Sequence, residues 1–146
     1  MRLSTKAQYA VRAMVRLNLQ SNGQAVSLKD ISKCEEISLP YLEQLFVKLR
    51  RREIVNSVRG PGGGYLLARP ADQIHVDEII DSVEETLVPV SCMDETGGCS
   101  CGSVCVTHTV WQGLAQRIRS FLGSLTLADL TDEARQSLPA KISLGL

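Results

Sequence analysis

Residues 92–108 concentrate the side chains of this chain that could bind a metal. The stretch CMDETGGCSCGSVCVTH holds four of the five cysteines and one of the two histidines. Its candidate ligands, spaced C-x6-C-x-C-x3-C-x2-H, are Cys92, Cys99, Cys101, Cys105 and His108. Five candidates are thus available for the four protein ligands that a zinc or iron–sulfur site usually takes.

The spacing of these ligands bears on which metal they bind. Zinc knuckles and ribbons usually have paired C-x2-C turns, which this loop lacks. Thiolates suit iron–sulfur clusters as well as zinc, and the glycines of the loop let the backbone fold around a cluster. An imidazole in place of one thiolate lowers the negative charge and adds a ligand that can be protonated and lost. Spacing therefore favours a labile iron–sulfur site, while zinc and a loop of unligated thiols stay open as alternatives.

Composition predicts a cytoplasmic globular protein. The chain has 146 residues, 44% of them hydrophobic, which is enough to form a core without stabilising disulfides or structural metals. No apolar run approaches the ~20 residues of a membrane helix, and the start MRLSTKAQYAVRAM lacks the apolar region of a signal peptide. We expect no membrane partner. In the cytoplasm, clustered cysteines serve as metal ligands or redox groups more often than as disulfides.

The net charge of zero conceals two oppositely charged halves. Residues 1–70 hold 12 Lys and Arg against five Asp and Glu, a balance of +7, whereas residues 71–146 hold four against 11, a balance of −7. A basic half suggests contact with a polyanion, and the alternative is a solvated surface whose charges happen to segregate.

Three helices are predicted in the basic half. The first spans residues 5–19, with Ala7, Ala10, Met14 and Leu17 as its buried stripe. The second begins at the N-cap Ser27 and stops between residues 34 and 37. The third, SLPYLEQLFVKLRRRE, begins at the N-cap Ser38. Two short helices joined tightly, the second basic toward its end, predict a helix-turn-helix.

A β-hairpin is predicted after these helices. Ile54, Val55 and Val58 indicate one strand and residues 65–67 another, with Gly-Pro-Gly-Gly-Gly as the turn between them. A phosphate-binding loop is excluded, because Tyr65 follows the last glycine where a Lys is needed. A helix-turn-helix with a hairpin is a winged helix, and Arg59 lies at the tip of its wing.

The acidic half predicts two further helices. One spans residues 76–85, with an acidic outer face. The other runs from about Val104 to Leu125, and its apolar stripe is Trp111, Leu114, Ile118, Phe121 or Leu122, and Leu125. A stripe of this length packs either on a second copy of the chain or back on its own domain. Little signal is found beyond Leu138.

Several stretches resemble the winged-helix family of iron–sulfur transcription regulators, and within it the IscR group. The resemblance covers roughly residues 1–130 and rests on MRLSTKAQYAVRAM, ISLPYLEQLFVKLR, VRGPGGGYLL and the loop running into CVTHTVW. It implies a homodimeric transcription factor with a [2Fe–2S] cluster in each subunit, bound by Cys92, Cys99, Cys105 and His108. It also implies repression or activation of iron–sulfur assembly genes, and an assembly scaffold is a conceivable partner.

The same resemblance suggests how DNA is contacted. It points to Ser38, Glu43 and Gln44 on the recognition helix and to Arg59 on the wing. Phosphate contacts are expected from Lys6, Arg50, Arg51 and Arg52. Two recognition helices in one dimer would reach grooves about one turn, ~34 Å, apart, so a pseudo-palindromic operator is expected.

Two departures from the family pattern keep alternatives open. The C-x6-C spacing is one residue longer than expected, and Cys101 is an extra cysteine that could replace a ligand and leave His108 free. Relatives that sense nitric oxide lack this histidine, so nitric-oxide or redox sensing is the alternative within the family. A carrier or zinc-binding adaptor is the alternative from another class. We do not expect an enzyme, because the sequence shows no pairing of a nucleophile with a general base.

The predicted architecture is mainly α with a small β-hairpin, a winged helix-turn-helix followed by a long C-terminal dimerisation helix. We expect a DNA-binding domain over residues 1–86, a cluster loop over 87–108, a dimerisation helix over 109–130 and a tail over 131–146. Cys34 is expected to be a small core residue, and His75 a surface or capping residue.

Overall fold

A computed structural model of the chain describes residues 3–83 and 106–137. Six α-helices and one two-stranded sheet lie within these ranges. In chain order they are α1 (Thr5–Gln20), α2 (Leu28–Glu35), α3 (Leu39–Arg51), β1 (Val55–Val58), β2 (Gly64–Leu67), α4 (Val76–Ser82), α5 (His108–Ser124) and α6 (Leu127–Ser137), with a 3-10 turn at Ala71–Gln73 before α4.

Helix α1 forms the centre of the fold. The Ser4 hydroxyl caps it by accepting a hydrogen bond from the Ala7 N–H at 3.3 Å, and the Ser21 N–H returns to the Leu17 carbonyl at its end. The predicted stripe of Ala7, Ala10, Met14 and Leu17 is buried. Small alanine side chains let neighbouring helices approach α1 closely, so they contact it from several sides.

Helices α2 and α3 form the predicted helix-turn-helix. Ser27 caps α2 by accepting from the Asp30 N–H at 3.3 Å. The helix ends at Glu36, whose φ of 56° is left-handed, and the buried Ile37 donates its N–H back to the Ser32 carbonyl. This ending turns the chain sharply into α3. Ser38 occupies the N-cap of α3, but its side chain makes no capping hydrogen bond.

The predicted hairpin is present and is fastened to the start of α2. Strands β1 and β2 pair antiparallel, with Val55 opposite Leu67 and Val58 opposite Gly64. Tyr65 also exchanges two backbone hydrogen bonds with Val26, at 2.9 and 3.0 Å, which adds a third short segment to the sheet. A β-carbon at Gly64 would overlap the Val26 carbonyl, so only glycine permits this close approach.

The acidic half departs from the predicted boundaries. Helix α4 ends at Ser82 with Val83 as its C-cap, and the predicted helical residues 84 and 85 lie outside the described ranges. Helix α5 begins at His108, after a turn formed by Val106 and Thr107. Thr107 occupies the N-cap of α5, a position that threonine favours over the helix interior. The predicted residues 104 and 105 lie outside the described ranges. Helix α5 ends at Ser124, one residue before the predicted Leu125, so the single helix expected over 109–130 is in fact divided at residues 125 and 126.

Helix α6 was not predicted. The Thr126 N–H donates to Asp129 Oδ2 at 3.0 Å, and the Asp129 N–H donates to Thr126 Oγ1 at 3.1 Å. This reciprocal pair is a capping box that stops one helix and starts the next. The sequence Thr-Leu-Ala-Asp after Leu125 carries that signal.

Two apolar clusters hold these elements together. The larger one joins α1, α2, α3 and the wing around Met14, Leu17, Phe46 and Leu49. The smaller one packs Val76 and Ile80 of α4 against partly buried residues of α5 and α6. None of the helices described is long and apolar enough to cross a membrane.

Candidate nucleic-acid interface

Helix α3 has one buried face and one solvent-facing face. Leu42, Leu45, Phe46 and Leu49 are buried in the larger cluster, as their spacing predicts. The solvent-facing side chains, all exposed, are Pro40, Glu43, Gln44, Val47, Arg50 and Arg51. A helix held rigidly by one face and exposed along the other can enter a DNA major groove.

The three recognition-helix residues predicted to contact DNA lie at the solvent-facing side of α3. Glu43 and Gln44 are exposed on its second turn, and Ser38 is exposed at its N-cap. Because the Ser38 hydroxyl does not cap the helix, it is available as a hydrogen-bond donor or acceptor.

Arg59 is exposed directly after β1, where the wing begins to turn. The turn closes through a hydrogen bond from the Gly63 N–H to the Gly60 carbonyl at 2.9 Å. A β-carbon at Gly63 would overlap the carbonyl oxygen of Val58, so the tip is as compact as its glycines permit. The tip therefore holds the Arg59 backbone in place while its side chain faces solvent.

The basic residues predicted to contact phosphates are all exposed. Arg50 and Arg51 end α3 and Arg52 follows as its C-cap. Lys6 lies in the first turn of α1, one turn before Tyr9, whose ring meets Tyr41 edge-on at a centroid distance of 5.7 Å. This ring contact brings the first turns of α1 beside the start of α3.

A charged brace that sequence reasoning missed fixes the turn between α2 and α3. Glu35 accepts hydrogen bonds from Arg12 Nε at 3.2 Å and Arg16 Nε at 2.9 Å, and its carbonyl accepts from Arg12 Nη2 at 2.7 Å. The Glu35 side chain is only 15% exposed. Two arginines four residues apart on the polar side of α1 were the available signal. The brace sets the angle at which α2 leads into the recognition helix.

Most of the predicted cluster loop lies outside the described residues. Cys92, Cys99, Cys101 and Cys105 all fall between residues 83 and 106. His108 is described, as the first residue of α5 and half-buried. Within residues 3–83 and 106–137, no three His, Cys, Asp or Glu side chains are grouped to hold a metal ion. Cys34 is exposed rather than a core residue, because it lies on the solvent side of α2.

The two ends of that loop are attached to helices that pack against each other. Asp81 of α4 lies 4.0 Å from Arg119 of α5, and Asp77 lies against Gly123, so the two helices run antiparallel. Since α4 ends at Ser82, the first turns of α5 project beyond it. His108 lies 11 residues before Arg119, or about 16 Å along the axis.

The junction of α5 and α6 is attached to the start of α4. The Val76 N–H donates to the Leu125 carbonyl at 3.0 Å, and the Leu127 N–H donates to the Ile74 carbonyl at 2.8 Å. His75 occupies the N-cap of α4 between these bonds, in the capping position expected for it, and its N–H donates to Glu78 Oε2 at 2.9 Å. Partial burial raises the pKa of Glu78, but hydrogen bonds from His75 and Arg69 outweigh it and lower that pKa overall.

Helix α5 carries two adjacent apolar strips. Ile118 and Leu122 pack on α4, so part of the predicted stripe covers the protein's own domain. Val110, Leu114 and Phe121 face solvent instead and are 60%, 41% and 61% exposed. We call these three residues the outer strip; their spacing of four and seven puts them on one side of the helix.

Comparison with known proteins assigns this architecture to a family. A family model described as Rrf2, iron-dependent transcriptional regulator, matches residues 3–133. The chain belongs to the Rrf2 family. A putative HTH-type transcriptional regulator, ORF2 of Azotobacter vinelandii, is 52% identical over 89% of this chain and 79% of its own length. The HTH-type transcriptional regulator IscR of Xenorhabdus nematophila is 50% identical, also over 89% of this chain and 79% of its own length.

Solved structures of the Rrf2 family agree with the fold. The solved structure of T. potens IscR superposes with a TM-score of 0.77 at 36% identity, covering 94% of this chain and 91% of that one. The predicted mainly α fold with a winged helix-turn-helix is thus confirmed, as is the family resemblance. Like its Rrf2 relatives, the chain is a DNA-binding transcriptional regulator and not an enzyme.

Proposed function

We propose that this protein is a homodimeric regulator whose choice of DNA sites depends on a bound [2Fe–2S] cluster. Cluster-dependent binding would repress or activate iron–sulfur assembly genes from the cytoplasm, where the DNA partner lies, and an assembly scaffold would be a further partner. The observation that carries the proposal is that the candidate ligands lie in the sequence between α4, a part of the DNA-binding unit, and the start of α5, two helices that pack against each other. Occupancy of the loop can therefore act on the DNA-binding unit through the contacts between these helices.

The proposed contacts to DNA fall into two groups. Ser38, Glu43, Gln44 and Arg59 would face base edges or groove walls, because the helix face and the wing that carry them are exposed. Lys6 and the three arginines Arg50, Arg51 and Arg52 would neutralise phosphates. No ion pair with any of these four basic residues occurs in the part of the chain that the structure describes, so their charges are not already compensated there.

The donor set suits an iron–sulfur cluster. We propose Cys92, Cys99, Cys105 and His108 as the ligands, with Cys101 as the substitute. His108 fits because it begins a helix that projects beyond α4, which leaves its side chain half-exposed and next to the loop in sequence. Three thiolates and one imidazole carry less negative charge than four thiolates, and the cluster when bound supplies a group that oxidants attack.

Coupling between the loop and DNA would use the packing of α4 on α5. Binding of all four ligands to one cluster would restrict how the chain between the end of α4 and His108 can be arranged. Residues 77 and 81 of α4 meet residues 123 and 119 of α5, so a shift at the loop end would tilt α4 against α5. Because α4 also packs on α1 and α3, such a tilt would reorient the recognition helix.

We propose that the outer strip of α5 is the dimer interface. Three large side chains are exposed on one side of a 17-residue helix, and a second copy of the same strip would cover them in a two-fold arrangement. We also propose functional boundaries at 1–86 for the DNA-binding domain, 87–108 for the cluster loop, 109–130 for the dimerisation segment, which holds nearly all of α5 and the start of α6, and 131–146 for the tail, which holds the rest of α6.

The test compares Cys101→Ala with His108→Ala in anaerobically purified protein. We expect a red-brown visible spectrum and two irons per chain in the wild type and in Cys101→Ala, with a large loss of iron in His108→Ala. Each protein is then titrated, with and without cluster, against promoter DNA from iron–sulfur assembly genes. We expect at least one promoter whose affinity differs severalfold between the two states.

Each part of the proposal has a result that contradicts it. Iron lost in Cys101→Ala but kept in His108→Ala would mean ligation by four cysteines. A colourless protein containing zinc would favour an adaptor. Equal affinity of the two states for every promoter would exclude cluster-dependent DNA binding.

A further inference from the structure

Val47 is placed at the centre of the solvent-facing side of α3. It lies four residues after Glu43, three after Gln44 and four before Arg51, all of which are exposed. The buried residues of α3, at positions 42, 45, 46 and 49, lie on the other side of the helix. The Val47 side chain is 44% exposed, so the core does not account for a hydrophobic residue here.

Local propensity does not account for Val47 either. Valine is β-branched and loses rotamer freedom in a helix, so Ala, Lys or Glu would form this exposed turn more readily. The exposed hydrophobic residues that the structure describes are otherwise on or just before α5, or near the ends of α1 and β1, where Leu3 and Val58 lie. Val47 is in the middle of α3 and lies beside Glu43 and Gln44, so its apolar side chain is on the side of the helix that would face DNA.

We infer that Val47 contacts the C5-methyl group of a thymine in the operator and thereby determines specificity at that base pair. In the major groove, thymine is the base that presents a methyl group, whereas the other bases present donors and acceptors that valine cannot satisfy. This inference rests on the proposed DNA-binding role of α3 and deepens it.

The position of that thymine follows from helix geometry. Val47 lies about one turn, ~5.4 Å, along α3 from Glu43 and Gln44. Base pairs in DNA are ~3.4 Å apart along one strand. The thymine should therefore lie one or two base pairs from the pair that Gln44 contacts, once in each half of a pseudo-palindromic site.

The experiment removes methyl groups first from the DNA, at thymine, and then from the protein, at Val47. Operators are first selected with the full-length protein from random duplexes. Each thymine is then replaced singly by deoxyuridine, which pairs identically but lacks the methyl group. Binding is measured for the wild type, for Val47→Ala and for Val47→Thr, which keeps the branched shape and one methyl group. Circular dichroism checks that each variant is folded, and the exposed position makes that the expected result.

One thymine in each half-site should show a methyl effect that depends on Val47. Uracil there should weaken wild-type binding about fourfold, which corresponds to ~0.8 kcal/mol for one buried methyl group. Val47→Ala should bind the thymine operator with a similar loss and should bind thymine and uracil operators equally. Val47→Thr should lie between these two. A uracil effect of the same size in the wild type and Val47→Ala, or no uracil effect at all, would overturn the inference.

The outcomes also separate this inference from the proposed function. Failure to select any preferred sequence would overturn both. Selection of a clear operator whose thymine methyl groups are all unimportant would overturn the role of Val47 alone. A change of oligomeric state in Val47→Ala without a change in DNA preference would also count against it, since it would assign the side chain to a protein contact.

Discussion

Arg59 and Arg52 carry the same charge but should contribute differently to DNA binding. Arg59 lies at a glycine-rich tip that fixes its backbone, so its guanidinium can be directed into a groove, while Arg52 ends a helix beside the expected phosphates. A guanidinium that reaches base edges discriminates by ~1–3 kcal/mol, whereas a phosphate contact strengthens binding to every sequence.

We therefore expect Arg59→Ala to lose preference for the operator over scrambled DNA by roughly tenfold or more, with a smaller change in nonspecific affinity. Arg52→Ala is the matched control. It should weaken binding to both DNAs equally and reduce the slope of log affinity against log salt by about 0.9. Fluorescence anisotropy titrations at several salt concentrations measure both quantities. Equal losses on both DNAs for Arg59→Ala would assign Arg59 to phosphate contact instead.

Single residues also mark the limits of sequence reasoning at this site. The recognition helix and the wing were predicted because apolar spacing indicates a helix and a run of glycines indicates a tight turn, and both signals lie within a short stretch of sequence. Val47 was not singled out because spacing predicts which side of α3 is buried but not how far a residue off that stripe is exposed, and that exposure came only from the structure. The contacts of Arg12 and Arg16 with Glu35 were missed for a related reason. Arg12 is 23 positions and Arg16 is 19 positions from Glu35 in the sequence, and only the fold brings them together.

Helix α6 depends on the capping box at its start. The Asp129 carboxylate accepts hydrogen bonds from the Thr126 backbone and hydroxyl, which lower its pKa below the usual value. A carboxyl whose pKa is lower in the folded state stabilises the fold above its unfolded-state pKa, and that contribution is lost as the pH falls through the folded-state value. The contribution should therefore be complete at neutral pH and disappear in acid below about pH 4.

Asp129→Asn tests this, because asparagine keeps an acceptor oxygen but removes the charge. We expect a lower free energy of unfolding in Asp129→Asn than in the wild type at pH 7, and a smaller difference at pH 3.5 and below. Asp72→Asn, at an exposed carboxylate in the 3-10 turn, is the control and should show little difference at either pH. Urea unfolding at fixed protein concentration measures these values. A difference that stays constant from pH 7 to pH 3 would show that the charge is irrelevant.

Element boundaries were predicted well where one local signal decided them. Helices α1, α2 and α3 have caps or turns with recognisable residues, and each was found within about two residues of its predicted span. The start predicted for α5, at about Val104, was too early, since Val106 and Thr107 form a turn and the helix begins at His108. Helix α6 was missed because a single dimerisation helix was expected over 109–130, so the capping box at Thr126 was not recognised as the start of a new helix.

Only one of the two apolar strips of α5 is buried within the chain. One strip of this helix is buried on α4, and the outer strip remains exposed over three turns. Apolar side chains that stay in water add nothing to the stability of one chain, since their burial is what yields free energy. Sequence periodicity did not separate the two strips, because the one predicted stripe combined Leu114 and Phe121 of the outer strip with the partly buried Ile118 and Leu122. A second copy of the chain would give the outer strip a function.

We expect Phe121→Glu to dissociate the dimer, because it would put a charge at the most exposed large side chain of the outer strip. Gln116→Glu adds the same charge to the same helix away from that strip and should leave the dimer intact. Sedimentation velocity gives the oligomeric state, and titrations with a complete operator and an isolated half-site give the consequence for DNA. Phe121→Glu should lose most of its affinity for the complete operator but keep its weak affinity for the half-site, since a monomer no longer presents two recognition helices at fixed separation. A Phe121→Glu protein that remains dimeric would move the interface to another surface.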